Sequence, residues 1–459
     1  MRLWQALGVS DGEVVALTGA GGKTTTLYLL AHELLAQGQR VIVATTTHMW
    51  PPAPAEGWPL IVTEDSDERL AAAERAISDR GRAFVAAGYT PEGKLRGIPL
   101  HEVAPLRRLA ATILIEADGA RGRPLKAPAE HEPAVPAQAT LVVPVVGLSA
   151  IGAQISPETV HRPERLSDLM GLQAGSAISC ETVADLLVAA QGGLRGVPTT
   201  ARVVPLCNQA DDSVRRDMGR QVARSVLRAD SRIRRLVVGA VQEAPQECEC
   251  WRPAVVVVLA AGAARRYGRL KQAEKLAGQP LLRRVVEAAL SSLASQVLVV
   301  LGCQAEQLWP VLAQIDHPRL AVVSNPLWEE GVASSIRAAL TALGGEIEAT
   351  VFAQADQPFL SSREIDALLI RHAQTGAPIV APRLGREIRS PVLFSRRLFP
   401  ELAGLAGDVG GRQLIAQHSP EVEFVEVVNP LPYADVDTPA DLLRLRSLAQ
   451  PGRAEGPQT

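Results

Sequence analysis

Lysine and asparagine are nearly missing from this chain. Of 459 residues, five are lysine (Lys23, Lys94, Lys126, Lys271, Lys275) against 47 lysines and arginines together, and three are asparagine (Asn208, Asn325, Asn429). The bias runs toward arginine, so the lysines and asparagines that survive it point to places where a substitute fails. A compact ammonium and a planar guanidinium are not interchangeable at a tight phosphate site. Cysteine is sparse too: Cys180, Cys207, Cys248, Cys250 and Cys303 include no CxxC pair, which argues against a disulfide framework and for a reducing cytoplasm. Cys248 and Cys250, either side of Glu249, admit a metal or persulfide role beside the plainer reading as free thiols. A large excess of one charge is absent. The net charge of −2 gives no reason to expect a nucleic-acid partner. Long apolar runs are absent as well. The longest uncharged stretch, residues 133–157, is interrupted by Pro136 and Pro144, whereas a bilayer helix needs about 20 mostly apolar residues, so no membrane partner is expected. The opening MRLWQALGVSDGE has neither a basic start nor an apolar stretch, and no signal peptide is expected.

What is present is a long alternation of strand and helix patterns. The length exceeds what one core supports, so two or three domains are expected. Short apolar strands are predicted at 13–18, 40–45, 112–116, 141–146, 202–206 and 236–241, with helices at 24–37, 181–190 and 213–227. Residues 242–253, QEAPQECECWRP, are polar, contain proline and show no periodicity, so they read as a linker. A second alternation follows, with strands near 254–259, 296–302, 320–323, 350–354 and 378–381. The expected organisation is therefore a domain at 1–241, the linker, a domain at 254–448, and a Pro/Gly-rich tail at 449–459 expected to be disordered. Strands alternating with helices imply a mostly parallel sheet covered on both faces, an α/β class.

Two strand-loop-helix openings carry the chemistry. The valines Val255 to Val258 run into LAAGAARRYGRLK at 259–271. Small residues let backbone N–H groups of Leu259, Ala260, Ala261, Gly262 and Ala263 approach a triphosphate, Gly268 lets the loop turn, and Arg266 and Lys271 neutralise the phosphates. Asp356, at a strand end, and Asp435 or Asp437, in a later loop, are two carboxylates able to hold Mg²⁺ against that triphosphate. Near the other end, Gly19-Ala-Gly21-Gly22-Lys23-Thr24-Thr25 has the G-x-x-G-K-[ST]-[ST] form of a phosphate loop, with Lys23 on the terminal phosphates and Thr24 or Thr25 on Mg²⁺. Glu116 and Asp118 end a strand, as a metal-side carboxylate should, and Arg121, Arg123 and Lys126 follow, with a plain surface loop as the alternative reading. Asn208-Gln209-Ala-Asp211 is like a guanine-reading N-K-x-D with Gln209 in place of Lys, so ATP and GTP both stay open. Thr45-Thr46-Thr47-His48 sits at another strand end. His131 and His161 could bind metal or substrate, or simply pack. Trp328 could stack on a substrate or pack, Asp408 could cap a helix, and Asp441 suits the first turn of the last helix.

Residues 254–448 resemble the MobA/MocA family of molybdenum-cofactor nucleotidyltransferases. The match lies in Gly262, Arg266, Gly268 and Lys271, in Asn325-Pro-Leu-Trp328-Glu-Glu-Gly331-Val-Ala-Ser334-Ser335-Ile-Arg337, in Ala355-Asp356-Gln357-Pro358, in Gly407 to Arg412 and in Asp435 to Asp441. The resemblance implies a Rossmann-like, GT-A-like nucleotidyltransferase domain that transfers CMP from CTP to the molybdopterin cofactor with Mg²⁺. In it Lys271, Arg266, Asp356 and Asp437 would be catalytic, and Asn325, Trp328, Ser334, Ser335 and Arg337 would meet the pterin. LAAG goes with CTP, whereas guanylyl-transferring relatives more often carry LAGG. An isoprenoid-type cytidylyltransferase shares the opening loop and Lys271-Gln272, but not the 325–337 and 435–441 segments. A nucleotide-dependent chaperone without enzymatic activity is the other alternative. The first half, through its loop, TTTHM at 45–49, EADGARGRPLKAP at 116–128 and Val160-His161-Arg162-Pro163, resembles the YqeC family, a P-loop-type accessory factor for selenium-dependent molybdenum hydroxylases. That implies an apo molybdenum hydroxylase of the xanthine dehydrogenase type as a partner, and leaves the reaction of this half open.

Overall fold

The computed structural model describes residues 1–109, 112–228 and 232–448. The chain divides into two compact units, Met1–Trp251 and Arg252–Thr459. No helix among the described residues is long and apolar enough to cross a membrane.

The first unit is built on a ten-stranded sheet. Its order is Ala244–Trp251, Leu236–Ala240, Leu206–Asn208, Leu141–Gly147, Val14–Gly19, Thr112–Glu116, Val41–Thr45, Arg82–Ala86 and Leu60–Val62, with Arg202–Val203 also paired to Leu141–Gly147. Every pairing is parallel except that of the first strand. The central strands are buried along their length, apart from Gly19 at the end of its strand. This is the burial of a sheet covered on both faces, and it explains their continuous Val/Ile/Leu runs. Two apolar clusters lie on opposite faces, Leu27, Leu30 and Leu34 of the Lys23–Ala36 helix in one, Ala73 and Ile77 of the Ser66–Arg80 helix in the other.

Residues 244–251, read from the sequence as part of a linker, form the antiparallel edge strand. Polarity alone misleads here because the strand is half exposed. Cys248 and Cys250 point into the core, while Glu249 lies on the opposite face, buried against Arg220 and the Trp251 indole. Cys-Glu-Cys-Trp is thus a period-of-two pattern. Burial pushes the Cys248 thiol up to about 12, opposite to the shift that makes a thiol reactive. Both cysteines lie in the core cluster, and among the described residues no group of three or more His, Cys, Asp or Glu is arranged to hold a metal ion. The expected disordered tail, 449–459, lies outside the described residues.

The second unit has an eight-stranded mixed sheet in the order Leu320–Ser324, Gln296–Leu301, Ala254–Ala260, Ala349–Gln354, Val392–Ser395, Ile379–Leu384 and Glu387–Ile388, with Val422–Glu426 parallel to Ile379–Leu384. The first four strands are parallel, and Val392–Ser395 runs antiparallel to both neighbours. Strand carboxyl ends in such sheets open onto a crevice where ligands bind. Both loops singled out by the sequence, 259–271 and the turn after Gln354, leave neighbouring parallel strands at that edge. The α/β class expected for both halves is observed.

Candidate functional site

In the second unit the 259–271 loop faces an open cleft of about 340 Å³ lined by Leu259, Gly262, Arg266, Lys271, Asp356 and Asp437 among others. Lys271 is the hub. Its Nζ lies 2.6 Å from Asp356 Oδ2 and 3.1 Å from Asp437 Oδ1, while Arg266 Nη1 is 3.2 Å from Asp437 Oδ2. All four expected catalytic side chains are therefore brought together from three separate segments. Burial works against the Lys271 ammonium, but Asp356 and Asp437 outweigh it and hold its pKa above the ordinary value. The lysine thus stays charged throughout the neutral range. Asp356 Oδ1 is buried and makes no hydrogen bond. A buried, unpartnered carboxylate oxygen beside a second carboxylate is the hard-oxygen donor set that Mg²⁺ prefers.

The loop is held in shape by a residue the motif reading does not use for that purpose. Gln272 is buried, and its Nε2 donates to Gly262 O at 3.0 Å and Ala260 O at 3.4 Å. Cys303 N–H donates to Ala261 O and Ala355 N–H to Leu259 O. The loop carbonyls are thus tied inward, whereas the N–H groups of Gly262, Ala263 and Ala264 donate to nothing among the described residues. Gly268, at φ +81, provides the left-handed turn that returns the chain toward Lys271. Gln357 plays a matching part on the acidic side, donating to Asp435 Oδ1 at 2.9 Å and to Ser390 O at 3.2 Å. Asp437 lines the cleft, whereas Asp435 is engaged by Gln357 beside it. Burial, then the nearby Asp356 charge, raises the Asp435 carboxyl above its usual range. Asp441 does sit in the first turn of the last helix, and its Oδ2 accepts from Thr438 N, Thr438 Oγ1 and Asp437 N. It thereby fixes the backbone that presents Asp437. Gln272 and Gln357 each follow a charged site residue directly in sequence, which is the one signal that could have singled them out.

The 325–337 segment, expected to meet the pterin, turns several of its polar side chains inward. Asn325, Ser334 and Ser335 are buried, with Asn325 Nδ2 donating to both serine hydroxyls at 2.9 and 3.0 Å and Asn325 Oδ1 accepting from Leu327 N. Their polar atoms are turned on one another and set the shape of the bend into the Val332–Ala342 helix. Trp328 is half-buried and packs against the core cluster of this unit. Arg337 reaches Leu405 O at 2.6 Å and Glu330 at 3.0 Å, tying the segment to 405–411. Asp408 makes no side-chain cap on the Arg412–Gln417 helix. Gly331, at φ +93, lies so close to this second segment that a Cβ would sit 2.4 Å from the Gly407 carbonyl carbon. Gly331→Ala is expected to destabilise the second unit by about 1–3 kcal/mol. An unchanged midpoint in that unit's urea transition would refute the close approach.

In the first unit, Gly19–Gly22 sits between the Val14–Gly19 strand and the Lys23–Ala36 helix. Gly19 and Gly21 have φ of +85 and +82, and a Cβ on them would lie 2.4 Å from Val145 O and 2.2 Å from Gly147 N. Glycine is required at both by space and by conformation. The helix has no side-chain cap, and the N–H groups of Gly22 to Thr25 donate to nothing among the described residues. Four N–H groups at a helix start form an anion-binding arrangement. Lys23 Nζ donates to Gly19 O at 2.6 Å and lies 3.2 Å from Asp118 Oδ1. Thr24 Oγ1 donates to Glu116 Oε2 at 2.8 Å, and burial raises the Glu116 carboxyl above its usual range. The two acids of EADG thus divide their work: Glu116 meets the threonine, and Asp118 meets Lys23, Lys126 and the Gly19 N–H. Thr25 is exposed. Asn208 is buried beneath the loop, donating to Gly21 O and accepting from Val241 N. Both ends of its amide are committed to scaffolding rather than to reading a base, and Asp211 pairs with Arg215. His131 is exposed and His161 half-buried, and neither belongs to a metal-binding cluster among the described residues.

Lys126 is fully enclosed, with its ammonium at Asp118 Oδ2 (2.8 Å), Glu132 Oε2 (2.9 Å) and Gly119 O (2.6 Å). Burial would raise the Glu132 carboxyl, but Arg162 and Lys126 overcome it and hold it at about 2. A depressed carboxyl stabilises the fold above its unfolded value of 4.5 and loses that contribution as pH falls toward the folded one. First-unit stability is therefore expected to decline across that acid window, with Glu132→Gln flattening the decline. Urea midpoints measured from pH 6 downward (about half-unit steps) test this, and parallel curves for the two proteins would contradict it.

Comparison with known proteins agrees with this division. The family model described as YqeC protein matches residues 15–164, and that described as MobA-like NTP transferase domain matches 256–422. The uncharacterized protein YqeC of Escherichia coli K12 is 36% identical over 199 residues, 43% of this chain and 75% of that protein. The purine catabolism protein PucB of Bacillus subtilis 168 is 32% identical over 194 residues, 40% of this chain and 92% of that protein. Among solved structures, the Rv0371c homologue from Mycobacterium sp. strain JC1 is 30% identical, covering 43% of this chain and 96% of its own, with a TM-score of 0.38. Two family memberships meet in one polypeptide: the chain belongs to the YqeC family through its first unit and to the MobA-like NTP transferases, a nucleotidyltransferase family, through its second.

Proposed function

We propose that the second unit transfers CMP from CTP to the molybdopterin cofactor and releases pyrophosphate. The observation that carries this reading is the placement of Lys271 between Asp356 and Asp437 at the mouth of the 259–271 loop. The free N–H groups of Gly262 to Ala264 would lie along the nucleotide, and Lys271 and Arg266 would neutralise charge moving onto the leaving pyrophosphate. Asp356 and Asp437 would hold Mg²⁺, which supplies charge neutralisation at the triphosphate. The pterin phosphate oxygen attacks the α-phosphorus as the bond to the β-phosphate oxygen breaks. Asn325, Ser334 and Ser335 serve this step by shaping the acceptor side, and Trp328 and Arg337 border it. The test offers purified protein each of the four NTPs with molybdopterin, and methylerythritol phosphate as the competing acceptor, and measures pyrophosphate. Release with CTP and molybdopterin supports the reading. Release with GTP alone, or with methylerythritol phosphate alone, replaces it.

The first unit, in this reading, binds ATP or GTP at Gly19–Thr25, with Lys23 on the terminal phosphates and Thr24 with Glu116 on the metal side. It serves the maturation of an apo molybdenum hydroxylase of the xanthine dehydrogenase type in the cytoplasm. Equilibrium binding of adenine and guanine nucleotides decides it: Lys23→Ala is expected to lose binding, and equal binding by the variant would end the assignment.

A further inference from the structure

Two arginines beside the Gly19–Thr25 loop take no part in the ion-pair network beneath it. Of the three cations in Gly119–Pro128, Lys126 turns inward to Asp118 and Glu132. Arg121 is exposed and Arg123 half-exposed, and neither makes a hydrogen bond or ion pair through its guanidinium among the described residues. Their backbone, in contrast, is fixed against the loop: Gly21 N–H donates to Arg123 O at 3.0 Å, and Gly147 N–H donates to Pro124 O at 2.8 Å. A Cβ on Gly21 would lie 2.9 Å from that same Pro124 carbonyl. The two loops therefore lie one upon the other.

The turn that presents the arginines is strained. Arg123 N–H donates to Ala120 O at 3.0 Å, and the two residues between them, Arg121 and Gly122, have φ of +51 and +74. Two successive positive φ values belong to the turn that favours Asn, Asp or Gly at its centre. An arginine at the first central position costs about 1–2 kcal/mol. Strain of this kind at a loop tip, in a side chain without a partner among the described residues, points to a role in binding. The surroundings carry charges of both signs, since Lys126 and Arg162 share Glu132 and Arg123 lies near Glu158. Lys126 is in register with His161 in a short parallel pairing, and burial together with Arg162, Lys126 and Arg121 holds the His161 imidazole below its ordinary pKa.

We propose that Arg121 and Arg123 form an oxyanion site flanking the Gly19–Thr25 loop, and that this site takes a phosphoryl group. The inference rests on reading that loop as a phosphate loop. A guanidinium presents paired donors that match phosphate geometry. The phosphoryl group has two chemical sources, the terminal phosphate of the bound nucleotide or a separate phosphate-bearing substrate.

Three titrations of the full chain separate the outcomes: ADP and GDP, their non-hydrolysable triphosphate analogues, and inorganic phosphate added to protein saturated with the tightest-binding analogue. In the Arg121→Ala/Arg123→Ala variant, diphosphate affinity is expected to stay within about twofold. Either triphosphate affinity or phosphate binding falls about tenfold or more. Loss of the triphosphate preference assigns the site to the nucleotide, and loss of phosphate binding assigns it to a second substrate. Both staying within twofold overturns the proposal. If the wild type binds no nucleotide, the phosphate-loop reading fails by itself, and phosphate titrated into the unliganded chain then decides the arginine site by the same tenfold criterion. Arg121→Lys/Arg123→Lys, which keeps the charge and loses the fork, is expected to fall between wild type and the alanine variant and guards against misfolding.

Discussion

Lys271→Ala is expected to lower pyrophosphate release by about 10²–10³-fold with the fold intact, the scale seen when one preorganised donor to developing charge is removed. The geometry says why no neighbour can substitute. Arg266 reaches Asp437 from an exposed position, and its own interaction is largely with solvent. Lys271 is the cation that touches both carboxylates, and it stays charged because they surround it. Lys271→Arg should recover little, since a planar fork cannot replace a point charge held between two acids. Single-turnover pyrophosphate release, with the urea midpoint of the second unit as the folding control, provides the measurement. A Lys271→Ala rate within tenfold of wild type would remove the lysine from the chemistry.

The central strands and the two loops were legible because their signals are local, whereas Leu60–Val62, Arg82–Ala86, Val392–Ser395 and Val422–Glu426 were not among the strands read. Val255–Val258 running into small residues, and Val14–Thr18 running into glycines, state strand, turn and helix start within a dozen residues. The strand ends Glu116 and Gln354 were equally readable, so Asp118 and Asp356 could be placed at the correct sheet edge. What the chain does not print locally is which polar atom meets which. Lys271 finds Asp437 across 166 residues, and Thr24 finds Glu116 across 92. No periodicity announces such meetings. For that reason Asn208, Asn325, Ser334 and Ser335 were read as ligand contacts although their amides and hydroxyls are used inside the protein. The asparagine scarcity pointed to scaffolding: Asn208 and Asn325 each bridge backbone or hydroxyl groups that would otherwise be buried unpaired. The Ala244–Trp251 strand was missed for another reason, since an edge strand with a polar face carries half the apolar signal of a central one.

Asp118→Ala should give the largest stability loss in the first unit. The carboxylate accepts from the Gly19 N–H and lies 3.2 Å from Lys23 Nζ and 2.8 Å from Lys126 Nζ. Both lysine side chains are nearly sealed from solvent, at 4% and 0% exposure. Removing one member of a buried charge network costs about 3–5 kcal/mol because the remaining charges lose compensation that water cannot supply. Lys126 keeps Glu132 and Gly119 O, and Lys23 keeps Gly19 O, so the lower end of that range applies. Asp118→Asn separates the contributions, retaining an acceptor for Gly19 N–H while discarding the charge, and should fall between. Adding Lys126→Met to Asp118→Ala removes one stranded cation but frees Glu132 from half of its pairing. Recovery should therefore be partial, with Arg162 holding Glu132 alone. Hydrogen exchange in the Val14–Gly19 and Thr112–Glu116 strands reads the effect within the first unit, where about 3 kcal/mol corresponds to roughly two decades of lost protection. Protection within a factor of about five of wild type would mean that Lys23 and Lys126 relax to solvent at little cost. Asp118 would then be a bystander to the loop from whose Gly19 N–H it accepts a hydrogen bond.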